Sequence, residues 1–229
     1  MFDCNIVFNN FADISYLKFE LIISDFKFYL MKEFGNEDYS DFLEEVNIYK
    51  KGSEEVREEY SGQYDKSQKS ISMYYIDDYD LMNKMIHHEI SHVKFAKNNN
   101  LNLDNTIEFL GYKFLSEFFA YLNSEVYVLD IIKKNEELLD GAMKNIKSVV
   151  EESYKTIEML KKTEENFDKI IENIKSSVDF RKINYEKIKK VEEAEFDHRI
   201  FILIKQVYYS ARFIAYQYIL NGFLGDRMS

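Results

Sequence analysis

The sequence contains no proline, no tryptophan and a single cysteine in 229 residues. Without proline, helices are seldom forced to stop. The lone Cys4 cannot form an intramolecular disulfide, and the N-terminus lacks a basic segment that leads to a small-residue cleavage site. We therefore expect the protein to reside in the reducing environment of the cytoplasm.

The sequence also lacks an excess of basic residues, since its formal net charge is -11 at pH 7. Nucleic acid binding requires a basic surface, and no dense patch of Lys and Arg is visible. A long unbroken apolar run is missing too, because Lys205, Gln206, Arg212 and Gln217 interrupt Ile200–Leu224. We expect neither a nucleic acid nor a membrane partner, and we interpret this run as a buried helix.

Apolar residues make up 46% of the sequence and aromatic residues 16%, which excludes disorder as a description of the whole chain. Short strands are predicted at Asn5–Phe8, Val46–Tyr49 and Ser70–Ile76, a helix at Asp13–Phe34, and a polar loop at Gly52–Asp65. The third strand alternates apolar and polar residues in the way that is typical of a half-buried strand.

Two helices are predicted after this strand. Aspartates at positions 77, 78 and 80 offer capping carboxylates for a helix over Leu81–Lys97, which a run of three asparagines ends in a turn. A second helix begins at about Asn105 and runs towards Ile132. The order of strand, helix, loop and helix favours an α+β unit over residues 1–140.

Beyond Gly141 the chain is rich in charge, with a sparse apolar stripe. From Ile146 to Val178, alternating steps of four and three residues meet mainly apolar or small side chains, which is the spacing of a coiled-coil seam. We predict a long amphipathic helix or helical hairpin over residues 141–195, and a C-terminal apolar helix over 196–229 that packs back on the first unit. A coiled coil that forms a homodimer is the alternative.

The run His88-Glu89-Ile90-Ser91-His92 carries the clearest chemistry. Two histidines four positions apart on a helix leave the same face and can hold one metal ion, and zinc accepts imidazole nitrogen. Glu89 can reach a water on that ion, which suits a general base. His87 points about 100° away from its neighbour, so we expect a supporting or structural role for it.

A third metal ligand is expected from the second helix, and Glu117 is the first candidate. Nearly all of its neighbours are apolar, and a carboxylate buried there is costly unless a cation compensates for it. Glu108 is the second candidate and Asp104 the third.

The pattern His88-Glu89-x-x-His92, followed after residues 93–116 by Glu117, resembles that of the gluzincin metallopeptidases. Their ligands are two histidines from one helix and a glutamate from the next. The resemblance implies a zincin-like fold, a zinc cofactor and hydrolysis of a peptide bond in a protein or peptide substrate.

Within the gluzincins, the stretch from about Gly62 to Leu122 looks like the compact prokaryotic and phage ImmA/IrrE type. The strand Ser70–Ile76 before the helix and the Glu-x-x-Ala form of Glu117–Ala120 carry this likeness. It implies that Ser70–Ile76 is the edge strand beside the cleft, where an extended peptide adds to the sheet.

Hydrolysis of this kind also needs a donor to the oxyanion. We consider Tyr121, one turn beyond Glu117, and His198 as candidates, with core packing and a surface position as their alternative roles. Two rival functions stay open for the chain. One is a binding or scaffold protein that uses the helical segment and has a structural or degenerate metal site, and the other is a metal-dependent hydrolysis of a non-peptide bond.

Overall fold

The computed structural model describes residues 6–53, 62–99, 106–177 and 185–228. In this part of the chain the protein is mainly helical, with a small mixed sheet. The elements in chain order are β1 (Val7–Phe11), α1 (Tyr16–Phe34), β2 (Glu45–Tyr49), β3 (Gly62–Asp65), β4 (Ser70–Tyr74), α2 (Tyr79–Asn98), α3 (Thr106–Ile132), α4 (Glu136–Ser177) and α5 (Tyr185–Met228).

The four strands are arranged in the order β1-β2-β4-β3. Strands β1, β2 and β4 are parallel, and α1 connects the first two, whereas β3 runs antiparallel to β4. The expectation that Ser70–Ile76 forms the edge strand is therefore wrong. Strand β4 has a neighbour on each side, and residues from both of its faces, Ile71 and Tyr74 among them, are buried.

The edge next to β4 is β3, which lies inside the segment that the sequence predicted to be a loop. Its four residues, Gly-Gln-Tyr-Asp, are short and polar, and they give little strand signal by themselves. The strand exists because it pairs with β4 through the turn that follows Asp65, with Gly62 opposite Met73. The remaining part of the predicted loop, residues 54–61, lies outside the described residues.

The core of this region combines one face of each of the first two helices with the central strands. Helix α1 contributes Phe26 and Leu30, and α2 contributes Ile86 and Ile90. Strands β2 and β4 supply the fully buried side chains Val46, Ile48, Ile71 and Met73. Apolar contacts therefore hold α2 along its length, and they fix the position of the two candidate metal ligands that this helix carries.

The ends of α2 agree with the capping prediction. Asp78 is the N-cap residue, and its carboxylate accepts a hydrogen bond of 3.0 Å from the backbone N–H of Leu81. Asn99 caps the other end, where its backbone N–H and side-chain amide both donate to the carbonyl of Phe95. Asp77 has a different role, because it pairs with Lys18 of α1 at 2.6 Å.

The chain divides into two compact units. One contains Met1–Asp104 and Ser116–Asp140, and the other contains Asn105–Leu115 and Gly141–Ser229. Gly141 lies inside α4 and Phe196 inside α5, so neither of the predicted segment boundaries coincides with a helix end.

In the second unit, α4 packs against α5 as an antiparallel pair. Asp168 accepts a 2.7 Å hydrogen bond from Arg199, and Glu164 accepts one of 3.2 Å from Gln206. The predicted seam of α4 is buried at Ile146, Val150, Ser153 and Leu160. The helix that lies against α4 is therefore α5, which includes the predicted C-terminal helix, so the pair extends beyond the predicted segment 141–195. A homodimeric coiled coil stays a prediction.

None of the helices in the described ranges combines the length and the apolar character that crossing a membrane requires. The run Ile200–Leu224 lies within α5, and its buried residues, Ile202, Ala211, Ala215, Tyr216, Ile219 and Leu220, follow one helical stripe.

Candidate metal centre

Helix α2 places the imidazoles of His88 and His92 side by side. Their Nε2 atoms are 3.2 Å apart, and their rings meet edge to face with centroids 4.8 Å apart. A small part of each side chain is accessible, 15% for His88 and 11% for His92. The pair is held firmly by the helix and still reaches solvent.

Helix α3 brings Glu117 to the same place. One of its carboxylate oxygens lies 3.6 Å from Nε2 of His88, and the other lies 3.7 Å from Nε2 of His92. One ligand atom from each of the three residues can be chosen so that all lie within 4.8 Å of one another. We call these three residues the metal cluster.

The distances from Glu117 to the two histidines are too long for direct hydrogen bonds and suit an ion between these groups. Zinc binds imidazole nitrogen and carboxylate oxygen at about 2.0–2.2 Å, so two ligands of a tetrahedral ion are about 3.3–3.5 Å apart. The shortest separations in the metal cluster, 3.2, 3.6 and 3.7 Å, lie close to this value. The three residues therefore fit a metal ion with little rearrangement.

Ser116, which the sequence analysis did not single out, orients one of these ligands. Its Oγ lies 2.7 Å from Nδ1 of His92, and the side chains of both residues are buried. A proton on Nδ1 that is donated to Ser116 leaves the lone pair of Nε2 directed at the metal cluster. The only signal in the sequence is its position directly before Glu117 on an amphipathic helix.

Glu89 is 3% exposed and directly follows His88, the first of the two candidate histidine ligands. Its carboxylate borders the edge strand, because a β-carbon added at Gly62 of β3 would be only 2.7 Å from Oε1 of Glu89. The candidate base and the edge of the sheet are thus direct neighbours.

Of the two candidate oxyanion donors, Tyr121 lies at the metal cluster. Its ring packs edge-on against the ring of His88, with centroids 4.6 Å apart, and it is 8% exposed. His198 belongs to the second unit, where its ring lies on that of Phe167 at a centroid distance of 3.9 Å. The assignment of a donor role to either residue stays a prediction.

Glu108, the second candidate for the third ligand, is not part of the metal cluster. Glu108 is an exposed residue near the start of α3. Among the described residues, the carboxylate in the group that can hold a metal ion belongs to Glu117 and not to Glu108. Asp104 lies outside the described residues.

The contacts of His87 are structural, which agrees with the prediction that its side chain points away from that of His88. Its Nε2 lies 2.9 Å from Oε1 of Glu33, and its ring stacks on Tyr29 and meets Tyr127 edge to face. Burial lowers the pKa of His87, while the hydrogen bond from His87 lowers the pKa of Glu33. We call His87 and Glu33 the buried pair.

A second polar contact fastens α2 to α3. Lys84 pairs with Glu125, whose side chain is 8% exposed. The buried pair connects α2 to α1, so both neighbouring helices are tied to α2 by ionisable groups as well as by apolar packing. These ties hold the metal cluster, which spans α2 and α3, in register.

Comparisons of the chain with known protein families, with curated proteins and with solved structures gave no match. The function of the protein therefore has to be inferred from the chemistry of its own residues.

Proposed function

We propose that the protein is a zinc-dependent metallopeptidase that uses the metal cluster to hydrolyse a peptide bond in a protein or peptide substrate. The observation that carries this proposal is the convergence of His88, His92 and Glu117, whose shortest separations are 3.2, 3.6 and 3.7 Å, with the buried Glu89 directly following His88 on α2. The likeness to the gluzincins rests on the same residues, and it supports a compact ImmA/IrrE-like form of the zincin fold.

The donor set favours zinc as the resident ion. Two imidazole nitrogens and one carboxylate form a three-ligand set that zinc uses in catalytic sites, where a fourth position stays open. When bound, zinc would polarise the substrate carbonyl and make water a stronger nucleophile near neutral pH. The partial exposure of all three side chains, between 11% and 17%, gives substrate a path to the ion.

Glu89 is the general base in this proposal. It removes a proton from the attacking water and then donates that proton to the leaving amine. A carboxylate that is 3% exposed is held in a narrow range of positions, which suits transfer of a proton between two fixed sites.

The edge strand suggests how an extended substrate binds. Strand β3, like β1, has a neighbour on one side only, and its first residue lies against Glu89. An extended peptide that pairs with the backbone of β3 would pass the candidate base. This assignment moves the proposed peptide-binding edge from Ser70–Ile76 to Gly62–Asp65.

The test combines metal content with activity. Purified protein is expected to contain about one zinc per chain, and His88→Ala and His92→Ala are expected to lose it. Glu89→Gln should retain zinc and lose at least about 1000-fold in turnover of the best substrate from a fluorescence-quenched peptide library. Glu108→Gln, an exposed glutamine substitution, is the matched control and should retain both properties.

The outcomes separate the rival functions. Protein that is purified without chelator and binds no zinc would contradict every metal-dependent function. Protein that binds zinc through the metal cluster but cleaves no peptide would favour a structural metal in a binding or scaffold protein, or hydrolysis of another bond. Full peptidase activity in Glu89→Gln would show that a different group acts as the base.

A further inference from the structure

Gly62 has no room for a side chain. A β-carbon at this position would lie 2.7 Å from Oε1 of Glu89 and 3.0 Å from its Cδ and Cγ. Ordinary contacts between nonbonded carbon atoms are about 3.5–4.0 Å. Any other residue here would therefore have to displace the end of the Glu89 side chain, the strand, or both.

The need for glycine at this position is one of space and not of backbone conformation. Gly35 and Gly52 have positive φ values of 58° and 89°, and a β-carbon at either would meet nothing within 4 Å. Gly62 does not have a left-handed φ, and it pairs with Met73 in a regular antiparallel ladder. The absence of a side chain lets the backbone of β3 lie directly on the carboxylate.

Glu89 has little freedom to yield to an intruding group. It is 3% exposed, and the neighbouring residues Ile86, Ile90 and Val93 of α2 are fully buried. The backbone of β3 closes one side of the space around the carboxylate, while the packed face of α2 holds the other end of the side chain. The carboxylate is thereby confined to a single region next to β3.

We infer that Gly62 is a positioning residue that fixes the Glu89 carboxylate for proton transfer, an inference that rests on the proposed function. A general base must lie within hydrogen-bond reach of the proton that it removes. A displacement of about 1 Å in such a group can cost about 100-fold in rate. Gly62 contributes no polar group, and its role is to let the edge strand and the base occupy adjacent positions.

A thermal unfolding cycle on the metal-free protein tests the contact without any activity assay. Gly62→Ala is expected to lower Tm by several degrees. In a Glu89→Ala background the same substitution should have little effect or raise Tm, because the new methyl group occupies the vacated space. Gly141→Ala, in α4 where a β-carbon meets nothing within 4 Å, is the control and should not lower Tm in either background. Equal losses from Gly62→Ala in both backgrounds would overturn the inference.

Kinetics of the zinc-loaded protein test the positioning role, with the best substrate from the quenched peptide library. Gly62→Ala should lower kcat by at least about 10-fold and change KM and the zinc Kd by less than about 3-fold. In a Glu89→Gln background it should cause no further loss, since it acts through the carboxylate.

The possible failures are distinguishable. If Glu89→Gln is inactive while Gly62→Ala is as fast as the parent, the role of Gly62 is wrong and the proposed function stands. If Gly62→Ala weakens zinc binding as much as it lowers activity, it acts on the metal ligands, and the inference is overturned. If the zinc-loaded parent cleaves no peptide, the proposed function fails and the positioning role fails with it.

Discussion

The metal cluster and the buried pair are built from the same two residue types, and their histidines all lie on α2, yet their polar atoms are spaced differently. His87 and Glu33 are in direct contact at 2.9 Å. In the metal cluster, the histidine nitrogens and the carboxylate oxygens are 3.6 and 3.7 Å apart. The members of the buried pair contact each other directly, whereas the metal cluster leaves a gap that an ion can fill. The spacing of the groups, and not their identity, separates a structural contact from a candidate metal site.

The largest difference between the two sites is expected when the glutamate of each is replaced by alanine. Glu117→Ala should weaken zinc binding by more than about 100-fold, a larger loss than removal of an outer hydrogen-bond partner causes. Glu33→Ala should leave zinc affinity unchanged and lower the free energy of unfolding by about 1–3 kcal/mol, because it strips a buried histidine of its partner. Chelator competition measures the zinc affinity, and urea unfolding of the metal-free protein measures the stability.

Glu108→Ala is the control for this pair of variants, since Glu108 is an exposed glutamate on the same helix as Glu117. It should change neither the zinc affinity nor the stability appreciably. A larger loss of zinc affinity in Glu108→Ala than in Glu117→Ala would transfer the third ligand to Glu108. A loss of zinc in Glu33→Ala would show that the two clusters are not independent.

A smaller effect on zinc binding is expected from a neighbour of the metal cluster. Ser116→Ala should weaken zinc binding by about 10–100-fold, because His92 then loses the hydrogen bond that orients its ring. Ser116→Thr keeps the hydroxyl and should recover most of the affinity. Ser124→Ala is the matched control, since Ser124 is equally buried on α3 and its hydroxyl donates only to the backbone carbonyl of Tyr121 at 3.2 Å among the contacts described. Equal zinc affinities for Ser116→Ala and Ser124→Ala would contradict this role.

Local signals predicted the helix that carries the site. Asp78 and the asparagine run fixed the ends of α2 through capping, and the spacing of four between His88 and His92 put both on one face. Glu117, which was predicted as the third ligand because its neighbours in the sequence are apolar, lies close to these histidines. The helix ends and the histidine spacing depend on residues within one or two helical turns, where sequence spacing determines position. The approach of Glu117 to the histidines also requires α3 to pack beside α2.

Features that depend on distant pairing were not predictable in the same way. Strand β4 has a pattern that suits either a central or an edge strand, and only its pairing with β2 and β3 decides which it is. Gly62 is important only because β3 lies against Glu89. The polar sequence of β3 gives no indication of this contact. Ser116 likewise acquires its role only when α3 packs beside α2. Non-local contacts, and not propensities, determine these three positions.

The smallest predicted effect is the pH dependence of the stability that the buried pair provides. Burial lowers the pKa of His87 below its ordinary value of 6.5, so the unfolded chain binds a proton more readily than the folded chain. The stability that the neutral imidazole provides is therefore complete at pH values above 6.5 and declines as the pH falls below it. Glu33, whose pKa is lowered from 4.5 by the hydrogen bond from His87, adds a further loss only at more acidic pH.

Urea unfolding of the metal-free parent and of His87→Gln at pH 7.5 and pH 5.5 measures this effect. Glutamine keeps a donor that can reach Glu33, and it does not titrate. The parent should lose more stability than the variant between the two pH values, and the difference reports the proton uptake of His87 because His88 and His92 are present in both proteins. An equal loss in the two proteins would mean that His87 is protonated as easily in the folded state as in the unfolded chain. The buried pair would then be a charged contact, and its contrast with the metal cluster would lie in spacing alone.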